Sequence, residues 1–186
     1  MTSIHEQHPT PAAPDLTPVQ YAMLGLLHDH PAHGYELQHA FAPGGDLADV
    51  AQVGQPALYA ALKDLVARRL IEGHEGREGA RPLRTTYAPT AEGERLLLEW
   101  MRVPVKRLRQ VRLDFLLKVY FARRRGVAEV RGLVDAQIRE CHDYLARLEE
   151  RSSASAPDDF TDLVVESRTS AARGALDWLH AYRRRL

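Results

Sequence analysis

A mainly α-helical chain with one small β-hairpin is what these 186 residues predict, and three observations lead there. Residues 16–70 break into three amphipathic segments, separated by Pro31 and by the Pro43-Gly44-Gly45 stop. The apolar period changes between Ile71 and Ala88 and becomes helical again after Thr90. From residue 104 onward the pattern stays helical and includes a heptad-like apolar series.

The elements follow in order. Asp15 or Thr17 caps the first helix and Pro18 suits its first turn, where a missing N–H is harmless. Val19, Met23, Leu26 and Leu27 share one of its faces. A short second helix, "HGYELQHAF", enters near His33-Gly34, and a third begins at Pro56 with Leu58, Leu62 and Leu65 inward. Ile71 to Glu78 and Leu83 to Ala88 flank a glycine-containing turn and read as two strands, helped by Thr85, Thr86 and Tyr87. Thr90 caps a fourth helix with Leu96, Leu97 and Trp100 as its apolar stripe. Three helices, a hairpin and a fourth helix within about 90 residues outline a winged helix-turn-helix over residues 16–103.

Residues 104–186 read as a helical dimerisation domain. "RLDFLLKVYFARR" is apolar enough to be buried, and Val127, Val134, Cys141 and Leu148 repeat at heptad spacing with Ile138 and Leu145 between them. "SSASAPDD" at 152–159 reads as a linker, and the last helix places Ala171, Ala175, Trp178, Tyr182 and Leu186 on one side. So much apolar helix surface predicts a dimer, with Ile138, Leu145, Ala171, Ala175, Trp178 and Tyr182 at its interface.

Composition sets the class. An apolar fraction of 45% and a charged fraction of 27% are those of an ordinary globular chain. Cys141 is the only cysteine, which excludes an internal disulfide, and no run of about 18 apolar residues is present to span a membrane. Residues 1–15 lack the basic start and apolar core of a secretory signal and read as a disordered lead-in, so a cytoplasmic location is expected. Net charge is zero, but residues 1–102 carry 8 Lys/Arg against 13 Asp/Glu, and the remainder 17 against 12. Attraction to phosphate depends on the local face. Between residues 63 and 84 the balance turns basic through Lys63, Arg68, Arg69, Arg77, Arg81 and Arg84.

Several stretches in this order resemble the PadR family of bacterial transcriptional regulators: Leu24-Gly25-Leu26-Leu27, Gly34-Tyr35-Glu36-Leu37, Leu58-Tyr59 with Leu62 and Leu65, and Tyr87, Thr90 and Gly93. "DFLLKVYFA" and "ALDWLHAY" are similar to the longer C-terminal helical domain of that family, so the resemblance covers roughly residues 16–184. It implies a homodimer that binds a palindromic operator, usually as a repressor, and releases it when a small effector binds. Gln55-Pro56-Ala57 stands where the family commonly offers a small hydroxyl residue before Leu58.

The expected contacts follow from the chemistry of the side chains. Gln52 and Gln55, at the entry of the third helix, either pair with adenine edges or simply cap the helix and face water. Tyr59 and Lys63 lie four residues apart and share a face suited to phosphate oxygens, unless Tyr59 only packs on the second helix. Tyr35 begins a helix whose free N–H groups favour an anion; a core or interface role is its alternative. Arg77, Arg81 and Arg84 belong to the wing, as DNA contacts or as a solvated face. Trp100 and Phe115 are the candidates for a pocket holding a small aromatic or hydrophobic effector, against ordinary core roles.

His28, His30, His33 and His39 lack companion ligands for a metal, and no cofactor is expected. The basic runs at 122–126 and 183–185 sit at helix ends, where they complement the dipole. No phosphate loop, nucleophile elbow or metal-ligand pattern supports an enzyme. The competing class is a winged helix used for protein contact, with a helical dimerisation arm.

Overall fold

The computed structural model describes residues 16–76, 84–154 and 159–186. The first half runs α1 (Pro18–Asp29), β1 (Ala32–His33), α2 (Gly34–Phe41), α3 (Gln55–Ala67), β2 (Ile71–Gly76), β3 (Arg84–Pro89) and α4 (Ala91–Arg102). A 3-10 turn (Leu108–Arg112) then leads into α5 (Asp114–Arg125), α6 (Val127–Ala154) and α7 (Asp159–Arg183).

Thr17, rather than Asp15, caps α1. Its hydroxyl accepts the Gln20 N–H while the Gln20 carboxamide oxygen accepts the Thr17 N–H at 2.8 Å, a reciprocal capping box. Thr90 caps α4 through the Gly93 N–H, as its side-chain chemistry predicts. The wing is larger by one strand than the expected hairpin. The sheet order is β1-β3-β2, because the two residues Ala32 and His33 pair antiparallel with Tyr87 and Thr86 on the open edge of β3.

Two apolar cores meet at α5. The first gathers Met23, Leu24 and Leu27 of α1, Leu37 and Phe41 of α2, Leu58, Leu62 and Leu65 of α3, and Leu96 and Leu97 of α4. Leu117 and Phe121 of α5 complete it, while Phe115, Val119 and Ala122 of the same helix enter the second core with α6 and α7. α1 and α5 close on each other at Gly25, where an added Cβ would stand 2.5 Å from the Phe121 ring.

The heptad-like series in α6 divides. Val134, Cys141 and Leu148 are buried, but Val127 is exposed at the helix start. Ile138 and Leu145 are half-buried and pack against the second core of this same chain. α6 also runs on to Ala154, three residues into the stretch expected to be a linker.

Candidate nucleic-acid interface

α3 sorts its side chains by period. Leu58, Leu62 and Leu65 are buried, which turns Tyr59 and Lys63 outward, with Tyr59 42% exposed. Gly54 caps the helix without a side-chain bond, Gln55 is its first residue, and Gln52 lies exposed in the preceding loop. The entry of α3 therefore offers backbone N–H groups and two amides to whatever approaches.

Tyr59 borders an open cleft of about 730 Å³ with His33, Gly34, Tyr35, Glu36, Arg84, Thr85 and Tyr87. Hydrogen bonds join the residues that line the cleft. His33 Nδ1 lies 3.1 Å from the Thr85 carbonyl and 3.3 Å from the Thr86 hydroxyl, which ties the start of α2 to β3. Tyr35 projects from the first turn of α2 and is 72% exposed. Glu36 turns its carboxylate back to accept the His33 N–H at 2.7 Å, so one anionic group already serves that helix end.

The structure thus brings Tyr35, Tyr59 and Arg84 to one cleft and leaves Gln55 and Lys63 exposed at either side of Tyr59 along α3. Arg77 and Arg81 lie outside the described residues. The sequence pattern gave no signal for His33 and Thr85 as the pieces that lock the cleft, because a strand of two residues has no period to read.

Among the described residues, Trp100 and Phe115 stand in different surroundings. Trp100 stacks on Tyr21 with centroids 4.7 Å apart, and the Lys118 ammonium stands over the ring at 4.9 Å. Phe115 is wholly buried in the second core, edge-on to Trp178. Trp100 does border a cleft of about 420 Å³ with Leu16, Thr17, Pro18, Arg109, Gln110, Leu113 and Asp114. Beneath it, burial pushes the Lys118 ammonium down to about 8 against the pull of the Asp114 carboxylate, and burial raises the Asp114 carboxyl.

On α7 the inward side is Ala172, Leu176 and Leu179. Ala175 and Tyr182 are half-buried beside it, while Ala171 and Trp178 are exposed, with Trp178 stacked on Tyr182. Phe160 and Leu163, which the sequence pattern did not single out, are also exposed on this helix. Among the described residues, no group of three or more His, Cys, Asp or Glu is placed to hold a metal ion. No described helix is long and apolar enough to cross a membrane.

Residues 23–99 match the family model described as the Transcriptional regulator PadR-like family, and residues 111–186 match that of Virulence activator alpha C-term. No curated protein matches the chain. Among solved structures, Bacillus subtilis PadR in complex with operator DNA is 24% identical, over 90% of this chain and 97% of that one, with a TM-score of 0.45. Bacillus subtilis PadR in complex with p-coumaric acid is 22% identical over the same shares, with a TM-score of 0.42. A PadR-like transcriptional regulator of Bacillus cereus is 25% identical over 44% of this chain and 75% of that one, with a TM-score of 0.37.

Proposed function

Because this chain belongs to the PadR-like family of transcriptional regulators, we propose that it binds a palindromic operator as a homodimer, acts as a repressor, and is released by a small effector. The observation that carries the proposal is the meeting of Tyr35, Tyr59 and Arg84 at one open cleft beside the exposed side of α3. Two phenol hydroxyls and a guanidinium suit phosphate oxygens, and they fix how the first turn of α3 enters a major groove. Gln55, and Gln52 ahead of it, then read base edges, and the wing arginines Arg77, Arg81 and Arg84 hold the flanking backbone.

A second copy supplies the winged helix for the second half-site. The exposed Phe160, Leu163, Ala171 and Trp178 of α7, with Ala175, Tyr182, Ile138 and Leu145 at its margins, offer the apolar area for that pairing. Two recognition helices then fall about 34 Å apart, one turn of duplex. An effector ends repression only if it binds the released arrangement more tightly than the DNA-bound one. The cleft at the Trp100 edge, with apolar Leu16, Pro18 and Leu113 beside the Arg109 cation, suits a small aromatic molecule with an acidic group.

The test is selection of duplexes from a random library, followed by fluorescence anisotropy at several salt concentrations. A selected duplex that outcompetes random DNA and weakens steeply with salt supports the proposal. If no duplex is enriched while the protein remains dimeric, the winged helix serves protein contact instead, the reading favoured by the acidic balance of residues 1–102.

A further inference from the structure

We infer that Lys118 and Gln137 are positioning residues for operator binding: they pin the segment joining α4 to α5 and so set the angle at which α3 is offered to DNA. The inference rests on the operator-binding proposal above. Val103 ends α4 in an extended conformation, which leaves carbonyls of the last turn without helical partners. The Lys118 ammonium of α5 donates to the Val103 carbonyl at 2.6 Å. Two residues later, the Val105 N–H donates to Gln137 Oε1 at 2.8 Å, and Gln137 Nε2 donates back to the Val105 carbonyl at 2.9 Å. The carboxamide thus acts as a one-residue strand partner for the connector.

Lys118, Gln137 and Val105 are all buried. Gln137 lies among Val134, Ile138 and Cys141 of α6, where an apolar side chain would serve the core better. A buried amide with both ends spent on one connector residue fixes the path of that connector rather than filling volume. The contacts continue toward DNA. Lys118 stands over the Trp100 ring, Tyr21 of α1 stacks on the same ring, and the neighbouring Gln20 donates to Asp64 of α3 at 2.6 Å. An unbroken series of packed and hydrogen-bonded groups therefore runs from α6, which packs on α7, to the helix that carries Tyr59 and Lys63.

A stiff joint has a measurable signature. A dimer with two rigidly held winged helices tolerates one half-site separation, whereas a loose joint accepts several. The probes are the duplex selected by the wild-type protein, the same duplex with one or two base pairs inserted between its half-sites, and a single half-site. Wild type is expected to prefer the parent duplex over the single half-site by about 100-fold and to lose about tenfold on the first insertion. Gln137→Leu is expected to keep half-site affinity while losing less than about threefold on insertion. The inference is overturned if Gln137→Leu discriminates spacing as wild type does, if it weakens all duplexes equally, or if wild type itself ignores spacing. Should Gln137→Leu fail to fold as a dimer, Lys118→Met reads the same joint from its other pin with the same outcomes. A wild-type protein that selects no duplex ends the operator-binding proposal before any variant is made.

Discussion

The ring of Tyr59 rests on Gly34: a Cβ built at Gly34 would stand 3.0 Å from Tyr59 Cε1 and 3.2 Å from its hydroxyl oxygen. The missing side chain is what lets α3 and the N-terminus of α2 close around one cleft. Packing on the second helix and facing an incoming phosphate are therefore compatible roles for Tyr59, since the ring packs by one edge and remains part exposed.

Gly34→Ala tests that arrangement. An alanine in the first turn of a helix gains about 0.5–1 kcal/mol from reduced chain entropy, and moving a part-exposed ring offsets some of it. Stability is expected to change by less than about 1 kcal/mol while operator affinity falls roughly three- to tenfold, through displacement of the hydroxyl. Thermal unfolding and anisotropy measured on the same preparation separate the two effects. Unchanged affinity would mean that the position of Tyr59 is irrelevant to DNA.

Lys63 and Gln55 should part company in salt titrations. Lys63→Ala removes one phosphate contact, so it is expected to weaken binding to all duplexes alike and to lower the slope of log K against log salt by about 1. Gln55→Ala should leave the slope alone and relax the base preference at one position, at about 1–3 kcal/mol per discriminated pair. Competition among single-substituted duplexes at two salt concentrations checks both. If the two variants behave identically, base and phosphate roles have been wrongly divided between them.

Much of this architecture is legible in the sequence, for reasons that differ by element. The leucines of α3 and the caps at Thr17 and Thr90 declare themselves through period and side-chain chemistry. The pattern Thr17-Pro18-Val19-Gln20 even distinguishes Thr17 from Asp15, because only Thr17 has a glutamine three residues later. β1 is not legible, since Ala32 and His33 become a strand only because β3 presents an open edge. Nor can a sequence show what an aromatic ring meets: Trp100 stacks on Tyr21 and borders a cleft, whereas Phe115 is wholly enclosed in the second core. On α7 the sides led by Ala171 and by Ala172 differ by about 100° on the helix, and small residues occupy both. Packing, rather than composition, turns Ala172 inward.

Gly25 has a packing role that its place in the "LGLL" run does not reveal. Its absent Cβ would come within 2.5 Å of two Phe121 ring atoms, and Phe121 is buried with little room to move. Gly25→Ala is expected to destabilise the fold by about 1–3 kcal/mol despite the better helix propensity of alanine. Phe121→Leu should cost stability alone yet recover part of the loss when combined with Gly25→Ala. Urea unfolding of the four proteins closes the cycle, and strict additivity would show that the two positions do not compete for one space.

Lys118 gives the fold a pH dependence of known sign. Burial lowers its ammonium from 10.5 to about 8, while the Asp114 carboxylate opposes that shift. Between those two values the unfolded chain binds more protons than the folded one, so the contribution of Lys118 to stability rises with pH. It is fully present above the unfolded value and is lost as pH falls through about 8. Lys118→Met cannot titrate, and apart from Asp114, whose carboxyl the Lys118 charge holds down, the other ionising groups are common to both proteins. The stability difference, wild type minus variant, is therefore expected to be flat from about pH 6 to 7 and to rise by roughly 2–3 kcal/mol by about pH 10.5. Urea unfolding at half-unit steps reads it directly. A difference that stays level across that range would place the Lys118 ammonium in a far more solvated site than its contacts with Trp100 and the Val103 carbonyl describe.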